Sequence, residues 1–201
     1  MKFETERLIL REPRMDDWKD VVEALNDIEV SKYLMKVPHP FTKKDAVSWI
    51  KKNIDKWKKK DKEDYSFFIE LKSEKKVIGG LKLDVDKHNL IGHTGSWINK
   101  KYWKSGYITE AKIALNDWIF NTLKLRKLES GAALENIASN IMQKKMGYKY
   151  EGRRIKKFVA KSTGKIHDEN MYGLLKEDWK KISAKLKEHT KEKIKKLESK
   201  K

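Results

Sequence analysis

Cysteine is absent from this chain of 201 residues. That absence excludes disulfide bonds, cysteine-ligated zinc and iron–sulfur sites, and a thiol nucleophile. No apolar run approaches the roughly 20 residues that a helix needs to cross a bilayer. The first residues, Met1 to Arg7, also lack the apolar stretch of a secretory signal. We therefore expect a cytoplasmic protein that has no membrane partner.

Arginine is scarce, although the chain is strongly basic. Only six of its 48 basic residues are arginines, and 30 acidic residues leave a formal net charge of +18. A charge of this size favours association with a ribosome or nucleic acid. A lysine-rich, solvated coat is the favoured explanation, because lysine is a poorer bidentate ligand of phosphate than arginine. The last segment, residues 179–201, carries ten lysines and three glutamates.

The order of apolar patterns predicts the fold class. Helical spacing follows Asp16 or Asp17, and again Thr42. Alternating or short apolar runs then predict strands over about 65–71, 77–85 and 94–98. A helix over 108–121, a strand over 128–134 and a helix over 137–146 precede a closing hairpin around Gly164. This order predicts an α/β fold with a mixed, mostly antiparallel sheet flanked by helices.

The segment from Trp97 to Ala111 combines a strand, a loop with one glycine and the start of a helix. A helix N-terminus offers unpaired N–H groups and a partial positive charge, which suit an anion. Gly106 would let backbone approach a phosphate, and Lys100, Lys101 and Lys104 add positive charge. An ordinary strand-to-helix connection would have the same pattern.

Several segments together resemble the GCN5-related N-acetyltransferases (GNAT), in particular the RimJ/RimL branch, which acetylates protein N-termini. The loop from Trp103 to Ala111, WKSGYITEA, resembles the pyrophosphate loop of that branch, although it has Lys104 and Ile108 where small residues are usual. Four further segments agree in order along residues 3–179: TERLILR from Thr5, VIGGL from Val77, NIAS from Asn136 with the following KMGY and EG, and DENMYGLL from Asp168.

The resemblance implies a GNAT domain over residues 1–178, followed by a lysine-rich helix or tail over 179–201. It implies a sheet that is splayed at a cleft for acetyl-CoA (coenzyme A), and it implies no metal. The cofactor-binding residues that it implies are Trp97, Ile98, Lys104, Ser105, Gly106, Tyr107, Ile108, Thr109 and Asn136.

The resemblance also constrains the catalytic groups. The RimI branch has a tyrosine acid and a carboxylate at two positions that are Gln143 and Gly131 here, so its apparatus is absent. The RimL-like enzymes have a serine three residues after the asparagine, and Ser139 occupies that position as the expected donor to the leaving thiolate. Glu70 on a strand near the cleft and Glu169 before the last strand are the candidate bases. Direct transfer aided by water is an alternative.

The acceptor implied by the branch is a protein N-terminal α-amine, for example that of a ribosomal protein, with association with the ribosome. Acetylation of a small amine such as a polyamine or an aminoglycoside is an alternative, and an acidic cluster facing the cleft would favour it. A non-catalytic module that binds CoA or RNA is a second alternative. The expected assembly is a monomer or a homodimer.

Overall fold

The computed structural model describes residues 1–199. The strands are β1 (Lys2–Glu4), β2 (Leu8–Arg11), β3 (Asp64–Leu71), β4 (Lys76–Asp86), β5 (Ile91–Ile98), β6 (Lys127–Ala133), β7 (Lys149–Val159) and β8 (Ile166–Leu175). The helices are α1 (Trp18–Leu25), α2 (Ile28–Ser31), α3 (Lys43–Trp57), α4 (Tyr107–Asn121), α5 (Ile137–Lys145) and α6 (Lys176–Glu198).

The eight described strands form one sheet in the order β1-β2-β3-β4-β5-β6-β8-β7. Neighbouring strands are antiparallel except for β5 and β6, which are parallel. The predicted mixed, mostly antiparallel sheet is therefore confirmed. A parallel pair needs a crossover connection, and here the loop after β5 and the helix α4 supply it.

Helices cover both faces of the sheet and bury two apolar cores. The helices α1 and α3 pack Val21, Leu25 and Ile50 against one face, beside Phe68 and Val77. The larger core lies on the opposite face, where α4 is packed. Its members include Leu8, Leu10, Phe67, Leu81, Leu83, Ile113, Ile119 and Leu128. Each strand in the middle of the sheet thus has apolar side chains on both faces.

The helix α3 begins as its sequence predicts. The Thr42 side chain accepts a hydrogen bond from the backbone N–H of Asp45 at 3.3 Å, and the Asp45 carboxylate accepts one from the N–H of Thr42 at 2.9 Å. This reciprocal cap satisfies two donors at the helix start. It fixes where α3 begins.

The lysine-rich segment is a helix that packs on the domain. In α6 the Trp179 indole is buried and donates a hydrogen bond to Asp117 of α4 at 3.0 Å. Ile194, about four turns further along, is also buried. The lysines of α6 between residues 180 and 196 are exposed. No helix within residues 1–199 is long and apolar enough to cross a membrane.

A buried lysine lies beneath the parallel pair. Lys112 of α4 is only 1% exposed, and its Nζ atom has no hydrogen-bond partner among the described residues. The ammonium lies 5.7 Å from the centre of the Tyr148 ring, which offers a weak cation–π contact. Because burial disfavours the charged form, it lowers the pKa of Lys112 to about 8.

Replacing Lys112 should therefore stabilise the protein in a pH-dependent way. The pKa falls from 10.5 in the unfolded chain to about 8 in the fold, so the charged form costs about 3 kcal/mol below pH 8. Between these pH values the unfolded chain binds more protons, and the wild type recovers stability as pH rises. We expect Lys112→Met to raise the free energy of unfolding in urea at pH 7, with the difference largely lost at pH 10.

The exposed Lys144 of α5 provides the matched control, since Lys144→Met removes the same charge from solvent. We expect that change to alter the free energy of unfolding by less than about 0.5 kcal/mol. A Lys112→Met variant that is less stable than the wild type at pH 7, or equally affected at both pH values, would contradict this account.

Candidate active site

The parallel strands β5 and β6 separate at one end and open a cleft. Their pairing runs from Ile91 opposite Lys127 to Thr94 opposite Ser130 and stops there. Residues 95–98 of β5 and 131–133 of β6 continue beyond that point without pairing to each other. Backbone N–H and C=O groups of both strands therefore face the gap and are available to a ligand. The cleft has a volume of about 530 Å³.

The loop after β5 places the N-terminus of α4 at the mouth of this cleft. Gly106 is the residue that precedes α4, and its φ of +80° lies in the left-handed region, which favours glycine. The first α4 residue that donates to the loop is Glu110, whose N–H bonds the Gly106 carbonyl at 3.1 Å. The N–H groups of residues 107–109 precede it and have no intrahelical partner. Free N–H groups at the positive end of a helix dipole suit an anion.

An ion pair with the start of the chain holds this loop. The Arg7 guanidinium donates to Glu110 at 2.8 Å and to the Ser105 carbonyl at 3.1 Å, and it stacks 4.1 Å from the centre of the Tyr107 ring. The Thr5 hydroxyl donates to the same Glu110 carboxylate at 2.6 Å. The segment TERLILR thus acts on the site through Thr5 and Arg7, a role that the sequence pattern did not reveal.

Most of the predicted loop residues line the cleft, but two do not. Its lining includes Trp97, Ile98, Lys104, Gly106, Tyr107 and Ile108, whereas Ser105 and Thr109 are not among the lining side chains. The Trp103 indole donates to the Ile98 carbonyl at 3.0 Å and closes the loop back on β5.

Two of the three lysines expected at the anion site point elsewhere. Lys101 pairs with Glu23 of α1 at 2.8 Å, and Lys100 lies 3.8 Å from Asp27. Of the three, only Lys104 lines the cleft. The expected cluster is therefore corrected to a single lysine, because carboxylates beside α1 attract the other two.

The helix α5 begins at the opposite wall of the cleft. The Asn136 side chain caps α5 by accepting a hydrogen bond from the Ser139 N–H at 3.2 Å. Both residues line the cleft. The cap fixes the first turn of α5, so the Ser139 hydroxyl is presented from a rigid position.

Asn140 ties this wall together and was missed by the sequence reasoning. Its buried amide donates to the Ala133 carbonyl at 2.9 Å, and its carbonyl oxygen accepts from Asn170 at 2.9 Å and from the Tyr172 hydroxyl at 2.7 Å. It therefore joins the end of β6 to β8. An asparagine on the inner face of a short helix is the signal that could have indicated it.

Three carboxylates line the remaining part of the cleft, beside Tyr33, Leu34 and Phe158. Glu29 pairs with Lys32 at 2.7 Å, and Glu135 pairs with Lys165 at 3.0 Å. The third carboxylate, that of Glu169, lies over the β6 backbone at Gly131, 3.7 Å from the Arg154 guanidinium. Since each carboxylate has a cation nearby, this part of the cleft is closer to neutral than to strongly acidic.

Glu135 is the most strongly perturbed of these acids. Its carboxylate lies 3.1 Å from Nδ1 of the buried His167. This hydrogen bond, with smaller contributions from its own backbone and from Lys165, lowers the pKa of Glu135 to about 2. Glu135 therefore stays ionised over the physiological pH range and cannot exchange a proton there.

The structure does not bring Glu70 to the cleft. Its carboxylate lies 2.5 Å from the Arg11 guanidinium, which also binds Asp17 through both terminal nitrogens. These residues line a separate polar pocket beside β2 and α1. The expected position of Glu70 near the cleft is corrected, because Arg11 draws the carboxylate to that pocket.

The two positions that differ from the RimI pattern are also explained by their contacts. Gln143 is buried and donates to the Ser130 hydroxyl at 2.5 Å, on the face of the sheet that α4 covers. Gly131 is the first β6 residue beyond the segment that pairs with β5. Among the described residues, no group of three or more His, Asp or Glu side chains forms a candidate metal site.

Residues 7–149 match a family model described as the acetyltransferase (GNAT) domain. The chain is 32% identical over 183 residues to YnaD of Bacillus subtilis (strain 168), described as an uncharacterized N-acetyltransferase, covering 89% of this chain and 99% of that protein.

Solved structures agree with this match. A GNAT-family acetyltransferase from Bacillus anthracis superposes with a TM-score of 0.75 at 26% identity, covering 88% of this chain and 99% of the other. A ribosomal-protein-S5-alanine acetyltransferase from Vibrio fischeri has a TM-score of 0.72 at 20% identity, covering 89% and 98%.

The contact between Arg7 and Glu110 yields a test of how the loop is held. Removing the guanidinium leaves the Glu110 carboxylate buried without its cation, which costs about 3 kcal/mol or more. We expect Arg7→Met to lower the free energy of unfolding by that order and to speed tryptic cleavage after Lys104. Arg14→Met, at an exposed arginine, is the control and should change neither quantity. An Arg7→Met protein with unchanged stability and cleavage would show that the pair does not hold the loop.

Proposed function

This chain belongs to the GNAT family of acetyltransferases and is an acyltransferase, and we propose that it transfers the acetyl group of acetyl-CoA to a protein N-terminal α-amine. GNAT acetyltransferases use acetyl-CoA. The observation that carries the proposal is the separation of β5 and β6 beside the glycine-preceded N-terminus of α4. The gap between β5 and β6 would supply a slot lined by backbone groups, and the N-terminus of α4 would supply a site for a phosphate group.

The residues present fit such a cofactor. Gly106 has no side chain, and a Cβ atom built there would lie 3.7 Å from the Arg7 guanidinium and near nothing else. The free N–H groups of Tyr107, Ile108 and Thr109 would hold the pyrophosphate, with Lys104 and the backbone of Ser105 beside them. Trp97 and Ile98 would line the pantetheine arm on one side, and Asn136 would lie on the other.

The bound cofactor supplies an activated acetyl thioester. Backbone N–H groups at the separated ends of β5 would polarise the thioester carbonyl, in the manner of an oxyanion hole. The hydroxyl of Ser139, held by the cap of α5, would donate a proton to the leaving sulfur. The acceptor amine must reach the same point from the part of the cleft lined by Tyr33 and Phe158.

The acceptor class rests on three supports. The five motif segments resemble the RimJ/RimL branch, and a structural neighbour is described as a ribosomal-protein-S5-alanine acetyltransferase. The third support is the lining of the cleft, where Tyr33, Leu34 and Phe158 offer apolar surface to a peptide. An α-amine has a pKa near 8, which leaves a usable neutral fraction at neutral pH.

A small polycationic amine is the second candidate. Three carboxylates line the cleft, which favours such an acceptor, but each of them has a cation nearby. The proposal therefore ranks a single amine above a polycation. The exposed lysines of α6 would suit the approach to an acidic partner such as ribosomal RNA.

An acceptor screen tests the proposed function directly. Acetyl-CoA is supplied with N-terminal peptides, spermidine and an aminoglycoside, and the released thiol is measured. We expect turnover with peptides that have a free α-amine and none with the same peptides after N-terminal blocking. Faster turnover of spermidine would favour the second candidate, and binding of acetyl-CoA without turnover of any amine would favour a non-catalytic module.

Gly106 yields a test of the phosphate site. Gly106→Glu sets a negative charge against the pyrophosphate, and we expect it to weaken CoA binding at least tenfold by isothermal titration. Gly106→Ala is the matched control, because it carries the same left-handed backbone strain but no charge. Equal affinities for the two variants would show that the loop does not bind phosphate.

Ser139 yields a test of the proton donor. We expect Ser139→Ala to lower kcat by about 10-fold or more while the affinity for CoA changes little, because the hydroxyl acts only when the sulfur leaves. Ser73→Ala, in an exposed turn, controls for the loss of a hydroxyl. An unchanged kcat would remove Ser139 from the mechanism.

A further inference from the structure

The carboxylate of Glu169 lies at the point where β5 and β6 separate. Glu169 belongs to β8, and its backbone pairs with Ala133 of β6. Its side chain leans along the strand toward Gly131, the first residue of β6 beyond the last pair with β5. The geometry points to Glu169 as the group that takes the proton from the acceptor amine.

Gly131 makes this position available. A Cβ atom built on Gly131 would lie 2.5 Å from the Glu169 carboxyl carbon and would overlap its Oε1 oxygen. No real Cβ atom tolerates such a contact, so any side chain at position 131 would displace the carboxylate. The Glu169 carboxylate from β8 can therefore occupy this position only because residue 131 of β6 has no side chain.

Glu169 differs from the other two carboxylates of the cleft in its burial and its bonding. Its side chain is 16% exposed, compared with 41% for both Glu29 and Glu135. Its nearest cation is Arg154 at 3.7 Å, beyond hydrogen-bond distance, and it accepts no side-chain hydrogen bond from residues 1–199. Its oxygens are therefore free to accept a hydrogen bond from an ammonium group, whereas Glu29 and Glu135 are already bound to lysines.

The proton transfers balance as follows. Glu169 takes one proton from the acceptor ammonium, and the freed nitrogen lone pair forms the C–N bond as the C–S bond breaks with its electron pair on sulfur. Ser139 gives its hydroxyl proton to that sulfur and regains one from the nitrogen. Glu169 then releases its proton to water. The net reaction turns an ammonium ion and a thioester into an amide, a thiol and one proton.

The first test measures geometry without cofactor or acceptor. We expect Gly131→Ala to displace the Glu169 carboxylate from its place over β6 at little cost in stability, because the methyl group meets the far end of a flexible side chain. Crystal structures of the wild type and of Gly131→Ala, both without ligands, measure this displacement. A wild-type structure whose Glu169 carboxylate points away from Gly131, or an unmoved carboxylate in Gly131→Ala, would overturn the inference.

The second test measures the reaction and rests on the proposed function. We expect Glu169→Gln, which keeps the shape and removes the charge, to lower kcat at least 100-fold and to change the CoA affinity less than twofold. Glu129→Gln, at a carboxylate two residues before Gly131 that pairs with Lys127, is the control and should keep the wild-type rate. The double change Gly131→Glu with Glu169→Gly returns a carboxylate to the same place from β6, and it should recover at least tenfold of the lost kcat.

The outcomes separate this inference from the proposed function. A wild type that binds CoA and acetylates no amine overturns the proposed function. An active wild type together with a Glu169→Gln variant within threefold of its kcat overturns the role of Glu169 alone. Loss of rate in Glu169→Gln without recovery in the double variant would mean that the residue has a structural role, and this would also overturn the inference.

Discussion

The parallel pairing of β5 with β6 stops after four residues, and the cleft depends on that interruption. Beyond Thr94 and Ser130 the two strands hold their backbone groups toward a gap instead of toward each other. Continuous pairing would satisfy those groups and leave no room for a ligand. The side chains beside the gap, from the α4 loop, from α5 and from β8, gain their roles from this geometry.

Two polar anchors keep the gap open in a defined shape. The Arg7–Glu110 pair holds the α4 loop to the segment that leads into β2, and Asn140 joins the end of β6 to β8. Both are largely buried, so their hydrogen bonds are shielded from competing water. Helix α6 adds a third support from outside, because Trp179 packs on α4.

The sequence alone predicted the fold class, the placement of α3 to α5 and the loop that begins α4, because these depend on local signals such as the Thr42 cap and Gly106. It did not predict contacts between distant segments. Glu70 was expected at the cleft, but Arg11, 59 residues earlier and also bound to Asp17, holds it elsewhere. The position of Glu169 over Gly131 likewise depends on strand register, which no local pattern specifies.

Little of the net charge of +18 serves the cleft, because only Lys104 among the three loop lysines lines it. The central claim is that acetyl-CoA occupies the gap between β5 and β6. A crystal structure of the protein with acetyl-CoA tests it most directly. The account predicts the pyrophosphate on the N–H groups of residues 107–109 and the pantetheine arm between residues 95–98 and 131–133. A cofactor bound elsewhere on the protein, or none bound at saturating concentration, would contradict it.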